Sequence, residues 1–278
     1  MAGGAQGGKS HAAKRHDGSQ GGAPAMEDPT AAVLVIGDEI LSGSVEDTNS
    51  REIARFLAGL GVQLDEIRVV ADDLEAIARA VNELRARHDV VITTGGIGPT
   101  HDDVTTDAVA RAFGVPVVED AEAAARLRAF LRARGRRENA ARMRMARVPQ
   151  GAALIDNPVS AAPGFRMDNV YVLAGVPRVM RAMLETMKPL LRRGRARREV
   201  ALSAPVPEGE LSAELADIAR RHPRVSIGSY PSFDGPMDNP RMSVRVVVRS
   251  ADEAALEKAA LEVDALLRRH EHAERERG

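Results

Sequence analysis

Apolar positions along this chain follow two alternating rhythms. Short unbroken runs, Ala32-Val33-Leu34-Val35-Ile36 and Val90-Val91-Ile92, suit strands buried on both faces. Elsewhere apolar residues recur at helical spacing: Ile53, Phe56, Leu57 and Leu60, then Leu74, Ile77, Val81 and Leu84, then Ala108, Val109, Ala112 and Phe113. Each set is the stripe of a helix lying on a core. Gly61 reads as a helix stop, residues 62–70 contain a further strand, and Asp72 and Asp73 stand where the cap of the second helix belongs. Strands alternating with amphipathic helices through short loops predict a three-layer α/β/α domain with a mostly parallel sheet.

The rhythm changes twice. Residues 121–147 are helical in character and crowded with arginine, and Arg132, Arg134, Arg136 and Arg137 read as a solvated face rather than a phosphate clamp. Asp168-Asn169 reads as a hairpin turn between Phe165-Arg166-Met167 and Val170-Tyr171-Val172-Leu173, which breaks the parallel pattern. Val176, Val179, Met180, Met183, Leu184, Met187, Leu190 and Leu191 form one helix face, a core stripe. The arginine-rich residues 192–198 lack apolar positions and mark a boundary. Past them come a strand (200–204), a helix (Leu211, Leu215, Ile218), a strand (225–230), an exposed loop (231–240), a strand (242–248) and a helix (Leu256, Ala259, Val263, Leu267), a small α+β layer. The chain therefore divides into a tail at 1–30, an α/β domain at 31–195, a small domain at 196–270 and a charged tail at 271–278. Residues 1–30 lack the apolar surface that offsets ordering entropy and read as disordered.

Composition narrows the chemistry. The formal net charge of the 278 residues is -1, without the basic excess of a protein built to grip nucleic acid. Five Phe, two Tyr and no Trp leave few platforms for stacking bases. No cysteine is present, so disulfides, thiolate metal sites and thiol nucleophiles drop out. No run reaches the length of a membrane span and the N-terminus has no apolar signal core, which places the protein in the cytosol.

The stretch with the most chemistry is residues 93–107, which follows a buried strand and leads into a helix. Gly95, Gly96 and Gly98 let backbone N–H groups approach an anion, and the helix start adds its own. Thr94, Thr100 and Thr105 add hydroxyls. Asp102 and Asp103, with Asp38 and Glu39 after the first strand, are carboxylates that a divalent metal would reconcile with a phosphate. In a parallel sheet ligands sit at the carboxyl ends of strands, where both loops lie, so the two can meet. Asp103 is either a base or a helix cap, His101 either an acid or a surface residue, and Asn157 either a ligand contact or an Asn-Pro turn.

Gly37-Asp38-Glu39-Ile40-Leu41 with Asp47-Thr48-Asn49, the block at 93–105, and residues 157–165 together resemble the N-terminal part of competence/damage-inducible protein A, a molybdopterin-binding-like domain. The resemblance spans roughly residues 31–270 and leaves no sequence for the family's amidohydrolase domain. It implies a phosphate-bearing ligand across the strand ends, with Gly37, Asn49, Asn157 and Gly164 completing the binding set. It also implies a metal-dependent pyrophosphatase on ADP-ribose or flavin dinucleotide, with Asp102 and Asp103 catalytic, Asp38, Glu39 and Asp102 as metal ligands, and Mg, Mn or Co as the ion. The alternatives are pterin-phosphate binding or adenylyl transfer in molybdenum cofactor synthesis, and a non-catalytic nucleotide-binding competence accessory. The chain departs from the family at Ser160, where a glycine is usual, and at Leu173-Ala174-Gly175, where Leu-Pro-Gly is usual. Both changes bear on loop shape beside the cleft. The small domain resembles the family's KH-like element, but no Gly-x-x-Gly occurs between residues 201 and 269. That weighs against nucleic acid and for packing in a homodimer.

Overall fold

The structure is a computed structural model that describes residues 28–234 and 241–277. Of the stretch 1–30 expected to be disordered, residues 1–27 lie outside the described residues, while Asp28 bonds to Arg195 and Thr30 already begins a strand. In chain order the elements are β1 (Thr30–Ile36), the single-turn α1 (Asp38–Leu41), α2 (Asn49–Gly59), β2 (Gln63–Val70), α3 (Leu74–Arg85), β3 (Val90–Thr94), α4 (Thr105–Phe113), β4 (Val117–Glu119), α5 (Ala121–Ala133), the single-turn α6 (Ala140–Met143), β5 (Arg147–Pro149), β6 (Ala153–Ile155), β7 (Gly164–Met167), β8 (Val170–Leu173) and α7 (Pro177–Met187). Then follow β9 (Arg198–Ala204), α8 (Glu208–Arg221), β10 (Ser226–Asp234), β11 (Arg241–Ser250) and α9 (Glu253–Arg277).

Six strands form one sheet in the order β2-β1-β3-β8-β7-β6. The first four are parallel, and β7 and β6 join antiparallel. The unbroken apolar runs follow from having two covered faces. On β1, Ala31, Val33 and Val35 pack with Ile53, Leu57 and Met180 on the α2 and α7 side, while Ala32, Leu34 and Ile36 pack with Ile77, Val81 and Val109 on the α3 and α4 side. The expected hairpin is present: β7 and β8 pair across Asp168-Asn169, with Asp168 at φ 51. Asn169 Nδ2 donates to the Arg85 and His88 carbonyls, at 2.9 and 2.8 Å, which ties the turn to the end of α3.

Four expectations are corrected. The segment 121–147 is not one helix: α5 ends at Ala133, Gly135 at φ 62 turns the chain, the single-turn α6 follows, and the segment ends in β5 paired with β4. The stripe of α7 is shorter than its periodicity, for Val176 and Leu190 are exposed. The loop placed at 231–240 begins later: residues 231–234 continue β10, opposite Val244 to Arg241, and the rest lies outside the described residues. Pro231 is tolerated because β10 is an edge strand. The charged stretch placed at 271–278 continues α9 as far as Arg277, and residue 278 lies outside the described residues.

The smaller sheet, β10-β11-β9, is antiparallel. Val244, Val246 and Val248 of β11 meet Leu211, Leu215 and Ile218 of α8 and Leu256 and Val263 of α9 in a core of their own. The chain between the sheets is held by backbone contact: Gly194 N–H donates to the Leu60 carbonyl at 3.0 Å, and a Cβ on Gly194 would stand 2.1 Å from the Gly61 carbonyl oxygen. Among the described residues no helix is long and apolar enough to cross a membrane.

Candidate functional site

The carboxyl ends of β3 and β8 open into a cleft of about 420 Å³ lined by Glu39, Gly95 to Pro99, Asp103, Met145, Asn157, Ser160, Gly175 and Val179 among others. All three segments picked from the sequence meet there: the loop after β1 through Glu39, the loop after β3, and residues 157–162. Backbone geometry is set by close approach. Gly95 has φ 108, and a Cβ there would stand 2.1 Å from the Ile36 carbonyl oxygen; Gly96 has φ 65, and its Cβ would stand 2.2 Å from Thr105 Oγ1. Neither position accepts a side chain without strain.

The N–H groups of the loop divide into used and unused. Gly98 and Thr100 donate to the Asp103 carboxylate at 2.7 and 2.8 Å, and the Thr100 hydroxyl bonds to it as well. Asp103 is thus no helix cap: its carboxylate brackets the loop from inside, and the N-cap position of α4 is held by Val104, whose side chain makes no capping bond. Gly96 and Ile97 line the cleft, and their N–H groups have no acceptor among the described residues.

The threonines take scaffolding roles. Thr105 is fully buried; its hydroxyl donates to the Gly95 carbonyl at 2.9 Å and its N–H to the Gly96 carbonyl at 3.0 Å. Thr94 donates to the Ala174 carbonyl at 3.2 Å and accepts from Asn49 Nδ2 at 3.0 Å. Asn49, buried at the start of α2, also donates to the Gly175 carbonyl at 2.7 Å, and its Oδ1 has no partner. Asn157 makes the Asn-Pro turn: Oδ1 accepts from the Val159 and Ser160 N–H groups, and Nδ2 donates to Ser160 Oγ and the Ala162 carbonyl, both at 2.7 Å. Ser160 thus serves as an acceptor in that turn. Gly164 is a packing position, where a Cβ would stand 2.2 Å from the Val172 carbonyl oxygen. Gly37 donates its N–H to the Val70 carbonyl at 3.2 Å, which starts the Asp38 loop beside the end of β2.

The carboxylates gather on the other side of the glycine loop. Asp38 and Asp72 exchange bonds: Asp38 N–H donates to Asp72 Oδ2 at 2.9 Å, and Asp72 N–H to Asp38 Oδ1 at 3.4 Å. Burial pushes the Asp72 carboxyl above its usual range, and the charges of Glu39, Asp38 and Asp102 push the same way against the lowering bond from Asp38. Asp102 is exposed, and the neighbouring Thr100 hydroxyl, whose bond goes to Asp103, together with the backbone N–H of Asp102 itself holds its carboxyl below the usual range. His101 is almost wholly exposed. Among the described residues no three His, Asp or Glu side chains converge as around a caged ion. The donor chemistry still fits a hard cation, because magnesium is commonly held by one or two carboxylates with ligand phosphates completing the shell.

Sequence reasoning passed over Asp72, yet a signal was there. A helix has one N-cap, and Asp73 fills it by accepting the Ala76 N–H at 2.8 Å. The aspartate before it is left without a capping role. Arg144, also missed, donates to the Asp103 carbonyl at 3.2 Å and shares Asp107 with Arg147, while Arg134 of the arginine run stacks on Phe130.

Comparison with known proteins agrees with this layout. Residues 32–193 match the family described as a probable molybdopterin binding domain, and residues 197–275 match the middle domain of FAD synthase. A CinA-like protein of Geobacter metallireducens is 41% identical over 235 residues, covering 81% of this chain and 55% of that one. The chain belongs to the CinA-like family and carries its molybdopterin-binding-like domain. It spans about half the length of such CinA-like relatives, with 57% of the Myxococcus xanthus protein covered. A protein of Pyrobaculum calidifontis, 36% identical over 250 residues, is covered over 94% of its length. The crystal structure of the protein CinA from Thermoplasma acidophilum superposes with a TM-score of 0.54 at 34% identity, covering 58% of this chain and 97% of that one.

Proposed function

We propose that the CinA-like cleft binds a phosphorylated pterin or nucleotide, with the phosphate over Gly96 and Ile97 and the organic part along Met145, Val176 and Val179. The N–H groups of Gly96 and Ile97, which bond to no protein acceptor among the described residues, carry this reading, since backbone N–H groups beside a glycine turn suit an anion's oxygens. The family match to a molybdopterin binding domain supports a pterin phosphate first. Calorimetric titration with a pterin phosphate and with AMP should show binding of at least one, abolished by Gly96→Asp, which sets a carboxylate in the cradle. Absence of binding by either overturns the reading.

A metal-dependent pyrophosphatase is the second reading, favoured by the raised Asp72 carboxyl among Asp38, Glu39 and Asp102. Asp38 and Asp72 would hold magnesium, manganese or cobalt together with ligand oxygens, and Asp102, ionised and exposed, would take a proton from water. The ion would neutralise phosphate charge and orient that water. AMP release from ADP-ribose or flavin dinucleotide under one of these metals is the expected result, and no release under any of them sinks this reading.

The same proposal includes a cytosolic location, two domains meeting near residue 195, and a KH-like small domain that packs against a second copy rather than nucleic acid. Phe233 and Met242, opposite each other and exposed on β10 and β11, support packing.

A further inference from the structure

The parallel strands have a second end. Below the amino ends of β1 and β2 lies a cavity of about 440 Å³, lined by Asp28, the arginine-rich connection through Arg195 and Arg197, the turn after α8 with Arg224 and Ser226, and the end of β11 with Arg249, Ser250 and Asp252. Its volume is that of a small-molecule pocket. Four arginines from three separate segments converge on it against two aspartates, in a chain that is nearly neutral overall.

The pairing within the cavity is unequal. Asp28 holds Arg195, accepting its backbone N–H at 2.9 Å and its Nε at 3.3 Å. Asp252 lies 2.9 Å from Arg224 Nη1 while accepting the Ala255 N–H at the start of α9. Arg249 Nε donates to Glu199 at 2.8 Å from one edge of its fork. Arg197 donates only to an uncharged group, Gln63 Oε1, at 2.8 Å. Arg197 is exposed, with the Asp28 charge nearby but no carboxylate bonded to it, and its planar fork suits a phosphate oxygen pair.

We infer that this seam is a second anion site, taking a small phosphorylated molecule through Arg197 and Arg249, with Arg195 and Arg224 held in place by their aspartates. It is separate from the cleft, which lies at the opposite ends of the same strands. Its walls come from both sheets, so its occupancy is linked to how firmly the two pack, and a bound anion raises the stability of the seam.

Calorimetry on the full chain with inorganic pyrophosphate and with AMP, at low salt and without divalent metal, tests this. Two classes of site are expected for pyrophosphate if the cleft also binds, and one if it does not. In either case Arg197→Gln with Arg249→Gln weakens the seam class about tenfold or more; where the cleft also binds, Gly96→Asp affects the cleft class alone. Arginine labelling by phenylglyoxal, read by mass spectrometry on the unmutated chain, should show protection of Arg197 and Arg249 by pyrophosphate. An isotherm of the double variant that superimposes on the parent, or equal labelling with and without pyrophosphate, overturns the site.

Discussion

Gly95→Ala is expected to cost about 3–5 kcal/mol of stability, combining a disfavoured backbone region with an overpacked contact. The new methyl would sit 2.1 Å from the Ile36 carbonyl oxygen at φ 108, where neither partner is a flexible side chain. Moving the Gly95 backbone to relieve the clash also moves its carbonyl away from Thr105 and its N–H away from Leu173, so ligand binding should fall with stability. Gly43 is the control. It too has positive φ, at 73, but a Cβ there meets nothing within 4 Å. Gly43→Ala should therefore cost only about 1 kcal/mol and leave the cleft unchanged. Urea unfolding of both variants makes the comparison; equal losses would mean that backbone conformation, rather than close approach, dictates Gly95.

The second large effect concerns Asp72→Asn, expected to stabilise the metal-free protein at neutral pH while reducing any metal-dependent turnover about a hundredfold. The amide keeps an oxygen for the Asp38 N–H and removes the charge that Glu39, Asp38 and Asp102 oppose. The sign follows from the direction of the shift. Because the carboxyl is raised in the fold, ionising it costs more there than in the unfolded chain. That cost is absent below the ordinary value of 3.8 and grows as pH rises through the raised one. The advantage of the variant should appear as pH increases from about 4 and vanish near pH 3. Thermal unfolding at several pH values checks it, and a variant less stable than the parent at pH 7 would show that Asp72 acts mainly as a structural acceptor.

Much of this was legible in the residues, and the misses have physical causes. The run at 32–36 announced a strand covered on both faces, and Asp168-Asn169 announced its turn, because both signals are local. The cleft was legible as a meeting of loops because strand ends in a parallel sheet share an edge. What sequence could not apportion was the use of each polar group. Thr94, Thr100, Thr105 and Asp103 look like ligand donors and acceptors in one dimension, but Thr100, Thr105 and Asp103 bond within the loop itself and Thr94 bonds to Ala174 and Asn49, which leaves the plain backbone N–H groups of Gly96 and Ile97 without a partner among the described residues. The helix overrun past Ala133 has a similar origin: alanine and arginine around it are good helix formers, and the one local warning of the turn was Gly135 itself.

The contact between Gly61 and Gly194 bears on how this molecule meets a protease. Arg192, Arg193, Arg195, Arg197 and Arg198 make the connection between the sheets, on paper, an inviting trypsin substrate. A protease needs an extended strand it can lift away, and here the backbone is seated against Leu60 and Gly61, with Arg195 bonded to Asp28 and Arg197 to Gln63. Cutting must wait for that seat to open, so the rate of nicking at these arginines becomes a clock for the parting of the two halves of the chain.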